Sequence, residues 1–208
     1  MNNIRIISDV HGLSESYLKI LDQCDHSIQL GDMGFNYHFL RSVDSDRHKF
    51  FGGNHDNYDI DWAYRLQHIS LSSSKAYWPY EEQLSIAQLR HAVELYKKVK
   101  PDLVITHSCP VSVSRKFGSK KILANYGYDP ETFTTNTQDA LQECFEYHKP
   151  KLWHFGHFHF YKNKVWHGTR FVCQRELGWT DIDSNLDIVN CSELKSKHYI
   201  GKEQKWKV

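Results

Sequence analysis

The sequence has almost no excess of either charge. Its 26 lysines and arginines are balanced by 25 aspartates and glutamates, which gives a formal net charge of +1. A protein that grips a nucleic-acid backbone through a global basic field needs a clear positive excess, because this binding is largely electrostatic. The composition therefore does not indicate nucleic-acid binding, and any attraction for an anionic substrate has to be local.

Paired cysteines and long apolar runs are also missing. The five cysteines are odd in number and form no C-x-x-C pair or zinc-ribbon spacing, which argues against a disulfide framework. No apolar run approaches the roughly 20 residues that cross a bilayer. Asp9 lies too close to the start of the sequence to leave room for the apolar core of a signal peptide. We therefore expect a soluble cytoplasmic protein with no membrane partner.

What the chain does contain is a repeating order of strand, polar loop and helix. Short β-rich runs lie at 4–8, 27–30, 48–51, 102–106 and 151–155, and helical patterns lie at 14–24, 85–99 and 136–148. Ser14 and Ser85 are predicted to cap the first two helices. Residues 112–135 are predicted to be mostly loop, and 164–167, 169–173 and 187–189 to be further strands. This order predicts βαβ crossovers and a largely parallel sheet in one domain over 1–208, with a loose tail from about 190.

Five of these strands are each followed by a short polar cluster. The clusters are Asp-Val-His at 9–11, Gly-Asp at 31–32, Gly-Asn-His-Asp at 53–56, Thr-His at 106–107 and Gly-His-Phe-His at 156–159. Taken alone, a strand-end Asp or His is more often an ordinary turn, surface or packed residue. Because the carboxyl ends of parallel strands meet at one edge of a sheet, we expect the five clusters to converge.

The residue types in these clusters are those of a divalent-metal site. Asp9 and His11 lie on the same side of an extended segment, so they can bind one ion. His157 and His159, in the same extended geometry, can reach two ions about 3.5–4 Å apart. Carboxylate, amide and imidazole ligands without thiolate suit manganese, iron or zinc and do not choose among them.

The clusters and their order resemble the calcineurin-like metallophosphoesterase family over most of the first 160 residues. The resemblance implies a four-layer α-β-β-α sandwich, with a dinuclear metal site at the carboxyl ends of the strands. It implies two divalent ions, with manganese expected first, and it makes Asp32 the bridging ligand. The implied ligands are Asp9, His11, Asp32, Asn54, His107, His157 and His159. The neighbouring His154 and His167 are predicted to be satisfied histidines near the rim, outside the ligand set.

The same resemblance implies hydrolysis of phosphate esters by a hydroxide held between the metals. His55 would stabilise the transition state or protonate the leaving oxygen, and Asp56 would orient the ring of His55 and favour its protonated form. Protein phosphatases of this family carry Asp-Arg shortly after Gly-Asp, whereas here Gly31-Asp32 is followed by no arginine until Arg41. We therefore expect the substrate to be a small-molecule or nucleotide phosphate ester, either a monoester or a diester.

Two alternatives have distinct signatures. A nuclease acting on DNA or RNA would share the chemistry but would need a basic track beside the site, and its binding would be sensitive to salt. A non-catalytic scaffold that binds a protein partner would be expected to have lost ligands or the catalytic histidine. The seven implied ligands and His55 are all present in the sequence.

Overall fold

The computed structural model describes residues 3–56, 84–117, 123–124 and 127–193. The strands are β1 (Ile4–Ile7), β2 (His26–Gln29), β3 (His48–Phe50), β4 (Leu103–Thr106), β5 (Leu152–Phe155), β6 (Lys162–Trp166), β7 (Thr169–Cys173), β8 (Trp179–Ile182) and β9 (Ile188–Cys191). The helices are α1 (Ser14–Leu21), α2 (Ile86–Val99), α3 (Val111–Phe117) and α4 (Asn136–Tyr147), with a 3₁₀ helix at His38–Ser42. None of the helices in these ranges is long and apolar enough to cross a bilayer.

The strands form two mixed sheets. The first has the order β3-β2-β1-β8-β9, in which β1, β2 and β3 run parallel while β8 and β9 pair antiparallel. The second has the order β4-β5-β7-β6, in which β4, β5 and β7 run parallel and only β6 is antiparallel. The strands that carry the polar clusters are therefore parallel within each sheet, so their carboxyl ends point to the same edge.

Alternating side chains build the four predicted layers. On β1, Ile7 packs with Tyr17 and Leu21 of α1, while Ile6 packs with Leu152 of the second sheet. On β5, Trp153 belongs to the cluster that contains residues of α2, α3 and α4. Since successive residues of a strand point to opposite faces, each sheet has one face on a helix layer and one face on the other sheet. The predicted α-β-β-α sandwich is confirmed.

Several local predictions are confirmed and others are wrong. Ser85 forms the predicted capping box with Gln88, and β6 and β7 form the predicted pair of strands. Ser14, however, is the first residue of α1 and does not cap it, and residues 111–117 form a helix where we predicted loop. The first sheet is mixed because the unpredicted strand β8 pairs antiparallel with β1, and the second is mixed because β6 pairs antiparallel with β7. β9 reaches into the predicted tail, and the rest of that tail from 194 lies outside the described residues.

The prediction for His154 is also wrong. This residue lies on β5 and is fully buried. It is two positions from Leu152, so both side chains point to the same face of the strand, the one between the two sheets. Among the described residues, neither ring nitrogen has a hydrogen-bond partner. Burial lowers the pKa of His154 to about 3, because the apolar surroundings disfavour the charged ring. His154 is a neutral core residue and does not belong to the rim.

Candidate metal centre

The five clusters converge at one edge of the two sheets. Asp9 follows β1, Asp32 follows β2 and Asn54 follows β3, all in the first sheet. His107 and His157 follow β4 and β5 of the second sheet. The site is therefore assembled across the junction of the two sheets, and neither sheet contains all of its donor atoms.

The backbone at these positions differs from the extended geometry expected from the sequence. Positive φ angles occur at Asp9 (28°), His11 (47°), Asp32 (57°), His157 (68°) and His159 (54°). This left-handed region is uncommon for residues other than glycine, and such strained positions cluster at functional sites. After β1, β2 and β5 the chain therefore turns sharply at the ligands, and simple alternation along a strand does not account for their convergence.

Close approach of the loops requires glycine at Gly53. A Cβ built on Gly53 would lie 2.5 Å from the backbone nitrogen of Asp32 and 2.8 Å from Cε1 of His107. Real side chains do not reach such separations, so a larger residue would push these two loops apart. Gly53 thus sets the distance between the loop after β2 and the loop after β4.

One group of donor atoms surrounds the exposed side of the site. Single ligand atoms of Asp9, His11, Asp32 and His159 all lie within 4.8 Å of one another. His11 Nε2 lies 2.9 Å from His159 Nε2 and 3.6 Å from Asp32 Oδ2, and His159 Nε2 lies 3.6 Å from Asp9 Oδ1. We name these four residues donor group 1. Asp9 and Asp32 are buried, whereas the side chain of His159 is 45% exposed.

A second group of donor atoms lies deeper. Asn54 Oδ1 is 2.8 Å from both His107 Nε2 and His157 Nδ1, and these two nitrogens are 3.3 Å apart. Asp32 Oδ1 lies 3.2 Å from His107 Nε2. We name Asp32, Asn54, His107 and His157 donor group 2. Asp32 belongs to both groups, with Oδ2 nearer group 1 and Oδ1 nearer group 2.

The electrostatics of the site fit a bound cation. Burial alone would raise the pKa of Asp9 and of Asp32, but contacts with His159 and His107 respectively lower both. Burial alone would lower the pKa of His107, yet its contacts with Asp32 and Asp9 raise it to about 9. Two carboxylates are thus kept ionised in a buried site and attract positive charge there. Oxygen and imidazole donors without thiolate are suitable ligands for a first-row divalent ion.

Short distances between imidazole nitrogens also fit a bound cation. Two imidazole nitrogens 2.9 Å apart in donor group 1, and two 3.3 Å apart in donor group 2, repel each other unless a proton or cation is shared between them. In donor group 2, burial and the charge of His107 lower the pKa of His157 to about 3, so the ring of His157 is neutral, the form in which imidazole binds a metal. The residues present therefore fit the predicted cofactor.

His55 lies beside donor group 1. Its ring centroid is 5.2 Å from that of His11, and its backbone N–H donates to Asp32 Oδ1 at 2.7 Å. Burial lowers the pKa of His55, and the charge of Asp32 offsets part of that shift. His55 is thus fixed to a ligand through its backbone, while its ring borders the cluster.

The hydrogen bonds of Asp56 go to neighbouring loops. Its carboxylate accepts hydrogen bonds from the backbone of Gly34 (3.1 Å) and Gly53 (2.7 Å) and from the hydroxyl of Tyr37 (2.8 Å). Burial raises the pKa of Asp56, against the effect of these bonds. Within the described residues, no contact joins Asp56 to the ring of His55. The carboxylate that raises the pKa of His55 is that of Asp32. Asp56 thus tethers the loops after β2 and β3, and its role toward the ring of His55 stays a prediction.

The hydrogen bonds that support Asp9 had little signal in the sequence. The hydroxyl of Ser8 donates to Asp9 Oδ2, and the backbone N–H of His157 donates to Asp9 Oδ1 at 3.0 Å. The turn between β7 and β8 adds a bond from Leu177 N to the carbonyl of Asp9 at 3.1 Å, and Ser8 N donates to the carbonyl of Gly178 at 2.9 Å. The position of Ser8 next to Asp9 is a weak signal, whereas the contribution of the turn depends on the unpredicted strand β8.

Neither a protein-family model nor a curated protein matches the sequence. Solved structures with a similar fold include a conserved uncharacterized protein, described as a predicted phosphoesterase, from Streptococcus pneumoniae TIGR4. It has a TM-score of 0.44 and 14% identity over 88% of this chain and 83% of that one. A Thermotoga maritima protein has a TM-score of 0.41 and 16% identity, over 90% of this chain and 96% of that one.

A third similar structure is GAP50, the anchor in the inner membrane complex of Plasmodium. It has a TM-score of 0.40 and 8% identity, over 92% of this chain and 88% of that one. At such TM-scores and identities, these similarities have no bearing on the function of this chain. In the order of its clusters and in their convergence at the junction of two sheets, the chain resembles calcineurin-like metallophosphoesterases.

Proposed function

We propose that this protein is a metal-dependent hydrolase of phosphate mono- or diesters that binds two divalent cations. The position of Asp32 between two donor groups is the observation that supports this proposal most directly. In the proposal, donor group 1 holds one cation, donor group 2 holds the other, and Asp32 contributes one carboxylate oxygen to each. Manganese is the first candidate, with iron and zinc as alternatives that the same donors accept.

Each part of the site has a task in this reaction. Divalent cations in the two groups would supply Lewis-acid stabilisation of phosphate charge and would lower the pKa of water. His55 borders donor group 1 and is half-buried, so a proton on one of its ring nitrogens can be delivered to the leaving oxygen. The buried ionised carboxylates of Asp9 and Asp32 retain the cations, and His11 and His159 border the open side, where a phosphate would enter.

The first experiment measures turnover. Metal-stripped protein is resupplied with manganese, and its hydrolysis of 4-nitrophenyl phosphate and of bis(4-nitrophenyl) phosphate is followed. We expect manganese-dependent release of nitrophenol from at least one ester, and the preferred ester distinguishes a phosphatase from a phosphodiesterase. Absence of turnover in protein with two bound metals verified would contradict the proposal and favour a scaffold. Turnover of single-stranded DNA or RNA that weakens with salt would favour the nuclease.

A second experiment tests the position of Asp32. Asp32→Asn removes the charge shared by the two donor groups, so we expect reduced metal occupancy in both groups. Asp9→Asn should chiefly affect one ion, because Asp9 belongs to donor group 1 only. His91→Ala, a change at an exposed histidine on α2, is the matched control. Metal content by atomic emission after dialysis is the measurement, and two retained metals in Asp32→Asn would refute the bridging role.

A further inference from the structure

An exposed aromatic ring stands next to the proposed proton donor. Phe35, in the loop after β2, is 42% exposed, and its ring centroid lies 6.5 Å from that of His55 with the planes at 73°. A phenyl ring left in water forgoes the free energy that burial would give it. Single exposed apolar residues are common, so the exposure of Phe35 alone would mean little. Its fixed position beside His55 is what distinguishes it.

The loop that carries Phe35 is bound to the segment that carries His55. Gly34 N lies within hydrogen-bonding distance of both the carbonyl of His55 (3.2 Å) and Asp56 Oδ1 (3.1 Å). On the other side of Phe35, the hydroxyl of Tyr37 donates to Asp56 Oδ1 at 2.8 Å. Phe35 is thus held between two anchored neighbours, which reduces the entropy lost when a ligand contacts its ring.

Further exposed apolar side chains lie on neighbouring segments of the first sheet. Leu13, in the loop after β1, is 47% exposed, and the two loops are joined by a hydrogen bond from Gly12 N to the carbonyl of Met33 at 2.9 Å. Phe50, at the end of β3, is 44% exposed and lies 5.7 Å from the ring of Tyr37. We name Leu13, Phe35, Tyr37 and Phe50 the apolar rim. Its residues lie in the loops after β1 and β2 and at the end of β3, all parts of the first sheet.

We propose that Phe35 contacts the alcohol portion of the substrate and selects phosphate esters whose leaving alcohol carries a flat, apolar ring. This inference rests on the proposed function. In the hydrolysis, an oxygen of water forms a bond to phosphorus while the phosphorus–oxygen bond to the alcohol breaks. The leaving oxygen takes a proton from the imidazolium form of His55 and departs as the alcohol, and the proton lost by the attacking water passes through solvent to restore the imidazolium. The ring of an aromatic alcohol beside His55 then lies within reach of Phe35, where ring–ring contact stabilises it.

The test compares esters that differ in the ring and have alkoxide leaving groups of similar basicity. Benzyl and ethyl phosphate are used if monoesters are turned over, and benzyl methyl and ethyl methyl phosphate if diesters are. We expect the wild type to prefer the benzyl ester, and Phe35→Ala to reduce the ratio of the two kcat/KM values by roughly three- to tenfold, the factor for one aromatic pair. Phe35→Trp should retain the preference. Tyr147→Ala, a change at an aromatic residue 52% exposed at the end of α4, should leave the ratio unchanged.

A binding measurement separates this inference from the proposed function. Manganese-loaded wild type and Phe35→Ala are titrated calorimetrically with benzylphosphonate and ethylphosphonate, which need no turnover. Hydrolysis with the same benzyl-to-ethyl ratio in both proteins would overturn the role of Phe35 and leave the hydrolase in place. Failure to hydrolyse any ester, with benzylphosphonate bound more tightly by wild type than by Phe35→Ala, would overturn the hydrolase and keep the ring contact. Absence of both hydrolysis and a benzyl preference in binding would overturn both.

Discussion

At the residue scale, the backbone of the candidate ligands stores strain. Five of the nine non-glycine residues with positive φ among the described ranges are candidate ligands, namely Asp9, His11, Asp32, His157 and His159. Each such residue costs on the order of 1–3 kcal/mol, so the surrounding contacts must hold it in place. For Asp9 those contacts include the backbone N–H of His157 and the backbone N–H of Leu177. Directing these side chains to one point therefore lowers the free energy of unfolding.

His55 gives the sharpest residue-scale prediction. His55→Ala removes the ring while the backbone N–H that donates to Asp32 remains. We expect turnover to fall by about 10²–10⁴, the contribution of a positioned proton donor, with two metals still bound. Single-turnover rates and metal content by atomic emission are measured on the same samples, with His91→Ala as control. Loss of metal in His55→Ala would show that the ring is a ligand or that it supports one.

The residue types of the site could be predicted from the sequence, but their partners could not. Asp9, Asp32 and Asn54 follow β-rich runs and have metal-ligand chemistry, which is visible in the chain itself. The role of Asp56 depends on Gly34, Gly53 and Tyr37, and Gly34 and Tyr37 lie about 20 residues away in sequence. Because Asp56 is next to His55 in the chain, we predicted a contact between its carboxylate and the ring of His55. In the structure the carboxylate accepts the three hydrogen bonds just named instead. A hydrogen-bond partner is set by where the loops meet in space, which a single sequence does not state.

At the scale of elements, the site depends on how closely the strand-end loops approach. Gly53 lies where the loop after β3 touches the loops after β2 and β4, and it has an ordinary φ, so only the space beside it restricts substitution. We expect Gly53→Ala to reduce metal affinity by roughly 10–100-fold, the effect of displacing supported ligands, and to destabilise the fold by about 1–3 kcal/mol through overpacking.

Gly168 provides the contrasting control for that variant. It lies in the turn between β6 and β7 with φ +84°, and a Cβ there would meet nothing within 4 Å. Gly168→Ala should therefore cost about 1 kcal/mol of stability through backbone strain, without any change in metal affinity. Isothermal titration with manganese and urea denaturation are carried out on both variants. Wild-type metal affinity in Gly53→Ala would show that the loops can separate without disturbing the ligands.

The elements themselves were predicted unequally. α2 has a strong local signal, since Ser85 and Gln88 form a capping box before an amphipathic run, and it begins where predicted. α3 was missed because its seven residues are too few for a clear helical period, and their apolar side chains Val113 and Phe117 are fixed by packing against the second sheet. β8 was missed because Trp179–Ile182 is short and contains an aspartate, a residue depleted in strands. Asp181 is buried there as the ion-pair partner of Arg5 on β1.

At the scale of the whole molecule, two sheets enclose an apolar interior that contains His154. This histidine is fully buried, and neither ring nitrogen has a hydrogen-bond partner within the part of the chain that the structure describes. Its folded-state pKa is lowered to about 3 from an ordinary value of 6.5. Above pH 6.5 the folded and unfolded states are both neutral at this residue. As the pH falls below 6.5, only the unfolded state takes up the proton, so His154 destabilises the fold until the pH nears 3.

This linkage predicts a pH-dependent difference between two proteins. Between pH 7.5 and pH 5, His154 should contribute a loss of about 2 kcal/mol in the free energy of unfolding, at about 1.4 kcal/mol per pH unit below 6.5. His154→Leu lacks this contribution and also removes two unsatisfied polar atoms, so it should lose less stability on acidification. Urea denaturation of both proteins at pH 7.5, 6 and 5 under the same metal conditions measures the difference. Parallel pH profiles would mean that His154 is solvated or paired in the folded state.

By itself, the sequence determined the alternation of strands and helices, the residue types at the strand ends and the chemistry of the donor set. These are local properties, since apolar periodicity, capping and ligand chemistry act over a few neighbouring residues. The tertiary structure alone decided the assembly: β8 beside β1, His154 between the sheets, Asp56 as a loop tether and Phe35 beside His55. Each of these depends on which strands lie side by side in a sheet, which strand-end loops touch, or how the two sheets pack, and all of these bring together side chains that are apart in the chain.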